Sequence, residues 1–372
     1  MRRGELPCAA CLRRAWLLAR LSAHIDLAWT ARRPLPALLA LADEPLIAAL
    51  AGPGLEGERV AHAWERHDAA ATRAVCAEHG VAALCQCDPR YPGVLRDLPD
   101  PPAALFVLGE LDRLIEALAQ DGVAIVGARR GSPYGLEQAR ALGRGLAAAG
   151  LTVVSGMALG IDAAAHAGAL EAGGGATVAV LACAPEQPYP ASKRELHRRI
   201  AASGAVVAEL PPGTPARRWC FPARNRLIAA LTRATVVVEA GERSGSLITA
   251  TLAAELGREV AAVPGMVSAP LAAGTNALIA DGARLVRGPH DVLELLFGAT
   301  AAAASAPATP APSLPADLGE LLARVAGGRD TVAALTAAGL GVDAALAGLA
   351  QLELRGLVRR SAGGRYVPVA PR

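Results

Sequence analysis

Residues 123–135 read Val-Ala-Ile-Val-Gly-Ala-Arg-Arg-Gly-Ser-Pro-Tyr-Gly. A short apolar run, three of its four residues β-branched, breaks off at Gly127 into a loop of small and basic residues that opens a helix. That is the strand, loop and helix start of a βαβ unit. The pattern repeats outward from this stretch. Largely apolar runs occur at 152–154, 177–181, 205–207, 235–238 and 259–263, each followed within a few residues by Gly, Pro or Ser and separated by amphipathic stretches of helix length. Runs apolar at every position belong to strands covered on both faces, so residues 83–298 are expected to form an α/β domain with a buried, Rossmann-like parallel sheet.

The flanks differ. Residues 1–82 are rich in Ala and Leu with helical spacing, as in Trp16, Leu17, Leu18, Leu21 and Ile25, and Pro34, Pro36, Pro45 and Pro53 punctuate short helices. A small all-α domain is expected there, with a degenerate helix-hairpin-helix around Gly52-Pro53-Gly54 as one form of it. Residues 299–315 are almost entirely Ala, Ser, Thr and Pro and are expected to be a disordered linker. In 316–372, three helical stretches (317–325, 331–338 and 342–355) precede a hairpin pattern from Leu357 to Val367, the order of a winged helix.

Composition narrows the function. The net charge of +3 rules out a global nucleic-acid footprint, so any such site must be local. No long apolar segment free of charge marks a signal peptide or membrane span, and a cytoplasmic location is expected. Seven cysteines, an odd number, fit reduced thiols in that compartment. Cys8-Ala9-Ala10-Cys11 is a C-x-x-C, with Cys76, Cys85 and Cys87 further on, but without a second matched pair it is a weak zinc signal, and neither metal nor cofactor is expected.

In an open parallel sheet, ligands bind at the carboxyl ends of the strands. Three loops there attract attention. Gly127-Ala128-Arg129 lacks the second glycine of a dinucleotide fingerprint, and Arg129 offers a planar fork to a phosphate or base instead. Ser155-Gly156 opens the helix that carries Asp162 and His166; hydroxyl and N–H groups there could face an anion, or Gly156 and Gly160 could be plain turn residues with Asp162 an N-terminal helix charge, and His166 reads as structural. Arg243-Ser244-Gly245-Ser246 is a small-residue loop at a helix N-terminus, suited to phosphate but lacking the Walker lysine that ATP hydrolysis would need. Between 190 and 233, nine basic residues stand against two acidic ones, +7 within a chain of net +3, and Tyr189, Trp219 and Phe221 lie among them. Arginine interleaved with aromatic rings suits single-stranded nucleic acid, where bases stack and phosphates pair. No nucleophile–base pair or catalytic motif declares itself.

Five ordered segments together, "VAIVGARRGSPYG", "TVVSGMALGIDAAAH", "FPARNRLIAAL", "VVVEAGERSGSLITA" and "AVPGMVSAPLAAGTNALIADGA", resemble the DNA-processing protein A (DprA/Smf) family of natural transformation. The resemblance runs from Cys87-Asp88-Pro89-Arg90-Tyr91-Pro92 to about Leu296. It implies a Rossmann-like domain that dimerises, binds single-stranded DNA, protects it and hands it to the RecA recombinase, with no bond-making step. It implies DNA contacts at Arg129, Lys193 and Arg224-Asn225-Arg226; the phosphate-type loops add Gly127, Ser155, Gly156, Arg243, Ser244, Gly245 and Ser246. Some members carry a basic residue before Gly160-Ile161-Asp162, where this chain has Leu159. Helical N-terminal and winged-helix C-terminal domains also fit the family. Two rival readings remain open. One is an enzyme hydrolysing or transferring a nucleotide phosphate or ribosyl group, with Glu239 or Glu242 as acid/base. The other makes the winged helix the DNA reader and the middle domain a small-ligand sensor, although 342–355 holds Asp343 and Glu353 against Arg355 alone.

Overall fold

The structure, a computed structural model, describes residues 7–173, 176–298, 315–355, 357–361 and 364–368. The linker expected over 299–315 lies outside these residues, Pro315 excepted. The chain divides into two compact units, Met1–Pro307 and Ala308–Arg372.

The first unit begins with six helices: α1 (Ala9–Arg20), α2 (Ser22–Thr30), α3 (Leu35–Leu39), α4 (Asp43–Ala51), α5 (Leu55–Glu65) and α6 (Ala69–Glu78). Leu17, Leu18, Leu21 and Ile25 recur at helical spacing and are buried together. Gly52-Pro53-Gly54 is the connection between α4 and α5. These helices do not stand apart as a domain. Trp219, from the sheet half of the chain, is buried among them, donating its indole N–H to Ser22 Oγ (3.0 Å) and its backbone N–H to Asp26 Oδ1 (3.1 Å). The expected stacking role of Trp219 is therefore corrected: the ring is a core anchor between the two halves.

A nine-stranded sheet follows. Its strands are β1 (Val81–Cys85), β2 (Ala104–Gly109), β3 (Gly122–Val126), β4 (Thr152–Ser155), β5 (Thr177–Leu181), β6 (Ala205–Ala208), β7 (Ala234–Val237), β8 (Glu259–Ala262) and β9 (Arg284–Leu285). The order is β1-β2-β6-β5-β4-β3-β7-β8-β9, parallel from β6 through β9, with β1 and β2 antiparallel at one edge. All six runs expected as strands are strands. The sequence reading passed over β1, β2 and β9.

Helices cover both faces of the sheet: α7 (Gly93–Arg96), α8 (Leu111–Ala119), α9 (Pro133–Ala148), α10 (Ile161–Glu171), α11 (Arg194–Ser203), α12 (Cys220–Ala230), α13 (Gly245–Glu255), α14 (Ala273–Ala280) and α15 (Pro289–Phe297). Alternate residues of one strand serve opposite cores. Ala124 and Val126 join Val154, Val178 and Val237 in one cluster, while Val123 and Ile125 join Val153 and Val236 in the other. The strand order reverses between β3 and β7. In a Rossmann-like α/β fold such a switch point opens a crevice beyond the carboxyl ends of the strands.

The second unit packs α16 (Ala316–Ala326), α17 (Val332–Ala337) and α18 (Val342–Leu354) with a two-stranded antiparallel sheet, β10 (Val358–Arg360) and β11 (Tyr366–Pro368). Its core holds Leu318, Leu321, Leu335, Leu349, Leu352 and Tyr366. Among the described residues, no helix of either unit is long and apolar enough to cross a membrane.

Candidate nucleic-acid interface

The loops after β3, β4 and β7 lead into the N-termini of α9, α10 and α13, and the first two are already occupied by the chain's own carboxylates. At α9, Glu239 from the end of β7 accepts from the Ser132 backbone N–H (2.8 Å) and from Ser132 Oγ (2.5 Å). It lies so close that a Cβ on Gly135 would fall 2.2 Å from its Oε2. At α10, Asp162 accepts from the backbone N–H groups of Gly156 (3.2 Å) and Ala158 (3.3 Å). A carboxylate in this position gains from the helix dipole as an incoming anion would. Burial nevertheless pushes the Asp162 pKa up, against the opposing pull of the Arg224 guanidinium and of the backbone donors.

The β4 loop therefore differs from expectation. Ser155 is buried and donates its hydroxyl to Ile125 O (2.6 Å), and the Gly156 N–H is taken by Asp162. Ser155 is thus committed inside the fold, and its expected anion contact is corrected to a structural role; Gly156 gives its N–H to Asp162 but lines the cleft beside Arg129 and Tyr189, so it stays at the candidate interface by position. Gly156 must be glycine for another reason: a Cβ there would sit 2.0 Å from Arg224 Nη1. Gly127 is likewise explained by packing, since its Cβ would meet Glu239 O and the Ile161 side chain within 2.8 Å. Directly after Gly156, Met157 is held, fully buried, at φ +55°. His166 is buried, with its Nδ1 2.7 Å from Thr177 Oγ1, and burial pushes its pKa down to about 3.

The third N-terminus, that of α13, is open. Ser244 is its cap residue, accepting weakly from the Ser246 N–H (3.4 Å), with the two hydroxyls 2.7 Å apart. Ser244, Gly245 and Ser246 line a cavity of about 510 Å³ with Gly127, Arg129, Arg218, Arg224 and Asn225. Trp29 of α2 closes one side of it. Arg243, beside the cap, is exposed.

The arginines of α12 do not all reach this cavity. Arg226 is buried, with Nε 2.8 Å from Asp100 Oδ2 and Nη2 2.8 and 3.0 Å from the Glu209 carboxylate. Burial opposes its charge, but Glu209 and Asp100 outweigh that and raise its pKa. The expected DNA contact at Arg226 is corrected: its charge is neutralised inside the fold. Arg224 is also buried, donating Nη1 to Gly156 O (2.7 Å) and Val180 O (2.5 Å), although part of it lines the cavity. Asn225, half-buried, accepts from Arg224 Nε (3.2 Å) and turns its amide toward Gly245 O (3.5 Å), linking α12 to the open cap.

Elsewhere the basic run of 190–233 disperses. Arg198 pairs with Glu195, and Arg233, ahead of β7, pairs with Asp121. Lys193 is half-buried just before α11.

Arg129 is the exposed cation at the centre. Its guanidinium lies 5.2 Å from the Phe221 ring centroid, and Phe221 meets Tyr189 at 5.5 Å, tilted by 56°. Tyr189 and Leu159 are 43% and 42% exposed, so an apolar, partly aromatic shelf lies next to the cationic cavity. Sequence reasoning found Arg129, Tyr189 and the Ser244–Ser246 loop. It missed Trp29 and the Glu239 carboxylate at the start of α9, whereas Asp162 as an N-terminal helix charge was one of its two readings of the β4 loop. A carboxylate two residues into a helix was the available signal for Asp162; the pairing of Glu239 with a turn over a hundred residues away had none.

Comparison with known proteins fits this geometry. Residues 82–297, more than half of the chain, match the DNA recombination-mediator protein A family. The chain belongs to that family. Protein Smf of Synechocystis is 37% identical over 313 residues, covering 75% of this chain and 78% of its own length. The putative DNA processing protein DprA of Mycobacterium tuberculosis is 46% identical over 195 residues, covering 52% of this chain and 49% of its own. The chain thus spans about half of the latter relative. The X-ray structure of DNA processing protein A from Streptococcus pneumoniae superposes with a TM-score of 0.61 at 31% identity, over 76% of this chain and 95% of that one. DNA processing protein A from Helicobacter pylori, a protein with a described single-stranded DNA binding mode, superposes with a TM-score of 0.52 at 29% identity, over 58% of this chain and 95% of that one.

Proposed function

We propose that this chain binds single-stranded DNA along the switch-point crevice, protects it and delivers it to RecA during transformation. The observation that carries the reading is the N-terminus of α13, Ser244–Ser246, which lines one cavity with Arg129 and Arg218 beside the Tyr189–Phe221 shelf. A phosphate would sit over the α13 cap with Arg129 and Arg218 as its cations, and bases would lie on the aromatic shelf. Lys193 and Arg243 would extend the backbone track. Single-stranded DNA binding by the Helicobacter pylori relative supports this, and the recombination-mediator family supports the RecA step. A homodimer through the α/β domain would bind longer strands more tightly through avidity.

The second unit, read as a winged helix, presents α18 with Asp343 and Glu353 and would contact protein rather than duplex. The helix pair around Gly52-Pro53-Gly54 would act, as a helix-hairpin-helix, only as an accessory. The enzyme reading loses one of its candidates, because Glu239 is committed to capping α9.

Fluorescence anisotropy of a labelled thymidine oligomer and of a duplex, across a salt series, tests the proposal. Wild type should prefer the single strand, and its affinity should fall steeply with salt, by a slope near −0.7 per phosphate neutralised. Arg129→Ala and Phe221→Ala should each weaken binding by about 1–3 kcal/mol, roughly five- to 150-fold, and Arg129→Ala should do so without loss of stability. Equal binding to duplex, or an Arg129→Ala protein that binds like wild type, would remove the site from the crevice.

A further inference from the structure

We propose that Cys8, Cys11, Cys85 and Cys87 form a closed tetrathiolate zinc site that staples the N-terminal helices to the edge of the sheet. The four sulfur atoms all lie within 4.8 Å of one another. Cys87 Sγ is 3.8 Å from both Cys8 Sγ and Cys11 Sγ. A tetrahedral zinc ion with Zn–S bonds of about 2.3 Å sets its sulfur–sulfur edges at about 3.8 Å. A disulfide would need about 2.05 Å. The thiols are thus spaced for a shared ion and too far apart to be bonded to each other.

The sequence had shown half of this site. Cys8 caps α1 and Cys11 lies one helical turn on, so both side chains meet at the helix N-terminus. The other half, Cys85-Gln86-Cys87, is a C-x-C rather than a second C-x-x-C. Cys85 ends β1 and Cys87 follows two residues later in the turn that Asp88 N–H closes onto Cys85 O (2.9 Å), which folds the chain back and brings the two thiols together. The expectation of no metal rested on the missing second pair, and the fold supplies it.

The surroundings suit thiolates. Cys8 Sγ accepts from the Cys11 backbone N–H (3.4 Å), and Cys85 Sγ from the Cys8 backbone N–H (3.5 Å). The N-terminus of α1, a twelve-residue helix, adds its positive dipole end. Four thiolates and one zinc carry a net double negative charge, and Arg96 lies against the turn that bears two of them. Its guanidinium donates to Gln86 O (3.1 Å) and Asp88 O (2.5 Å), fixing the backbone on either side of Cys87. Such outer groups orient ligands and temper their charge. Cys11 and Cys85 are buried and Cys87 is exposed, which leaves an entry path for the ion. With four protein ligands and no open position, the site is structural and not catalytic. β1 is the edge strand, five strands from β3, so the site lies away from the crevice.

The test is metal analysis of the full-length chain, purified without a metal-binding tag, followed by X-ray absorption at the zinc edge. One zinc per chain with four sulfurs at about 2.3 Å is expected. Denaturation with a chelator should then release the zinc and expose all seven thiols. The Cys8→Ser, Cys11→Ser double variant should lose the zinc, whereas Cys76→Ser, at a buried cysteine outside the cluster, should keep it. The wild-type measurements stand even if the double variant fails to fold. A metal-free wild type whose four cysteines resist thiol reagents as two disulfides would overturn the site. So would zinc retained in full by the double variant, or a sulfur count below four. Iron in place of zinc would overturn the assignment of the metal.

Discussion

Two segments bring arginine to the crevice and use it in opposite ways. In the loop after β3, Arg129 is exposed and rests on the Phe221 ring. On α12, Arg224 and Arg226 are buried and bonded to backbone carbonyls and carboxylates. A guanidinium at the mouth can meet a ligand, because its partners are weak and water-exposed. A guanidinium inside holds the walls apart at a set distance, because removing it strands its partners without water. Charge counted along a sequence does not distinguish the two; the difference lies in which carboxylates the fold brings near.

The comparison breaks most visibly at Arg226. Arg226→Ala would leave Asp100 and Glu209 buried without their cation, so it should lower the unfolding free energy by about 3–5 kcal/mol. Urea denaturation measures this. A loss below about 1 kcal/mol would match an exposed pair and would mean that α12 offers its arginine to solvent after all.

A smaller effect is expected at Gly156. Gly156→Ala drives a methyl group into the Arg224 guanidinium, which Val180 O and the peptide at 156 hold in place. Overpacking of this kind should cost about 2–3 kcal/mol of stability. It should also weaken strand binding, because the displaced Arg224 lines the cavity. Arg129→Ala should weaken binding alone. If Gly156→Ala proved neutral in both assays, Arg224 would be mobile and the distinction between the two segments would soften.

Much of the fold could be read directly, and the reason is local. A run such as Val123–Val126 is apolar on both faces because the strand is buried on both faces, so the pattern records its own environment. β1 escaped because Val81–Cys85 sits at the sheet edge beside a helical region and only partly repeats that pattern. The site was half legible. Exposure of Arg129 and Tyr189 follows from loops that end strands, which sequence locates. The fates of Ser155, Trp219 and Arg226 depend on Ile125, Ser22 and Asp100, and those partners are distant in the chain. The cysteine cluster failed for the same reason: its two pairs are joined only when α1 packs on β1.

His166 offers the finest measure of how dry the interior side of the crevice is. It lies on α10 one turn after Asp162, and burial, seconded by the Arg224 charge, pushes its pKa down to about 3. The ordinary histidine value is about 6.5. Between these values the unfolded chain binds a proton that the folded chain refuses, so stability contributed by neutral His166 is full above about pH 6.5 and drains away as pH falls. From pH 7 to pH 5 the loss through this one group should be about 2 kcal/mol. In His166→Gln, whose amide can still reach Thr177 and cannot titrate, the fall in urea midpoint over that interval should shrink correspondingly. Identical pH slopes for the two proteins would mean that His166 takes up its proton in the folded state. Water would then reach the Arg224 side of the wall, and buried and exposed arginines would differ in degree only.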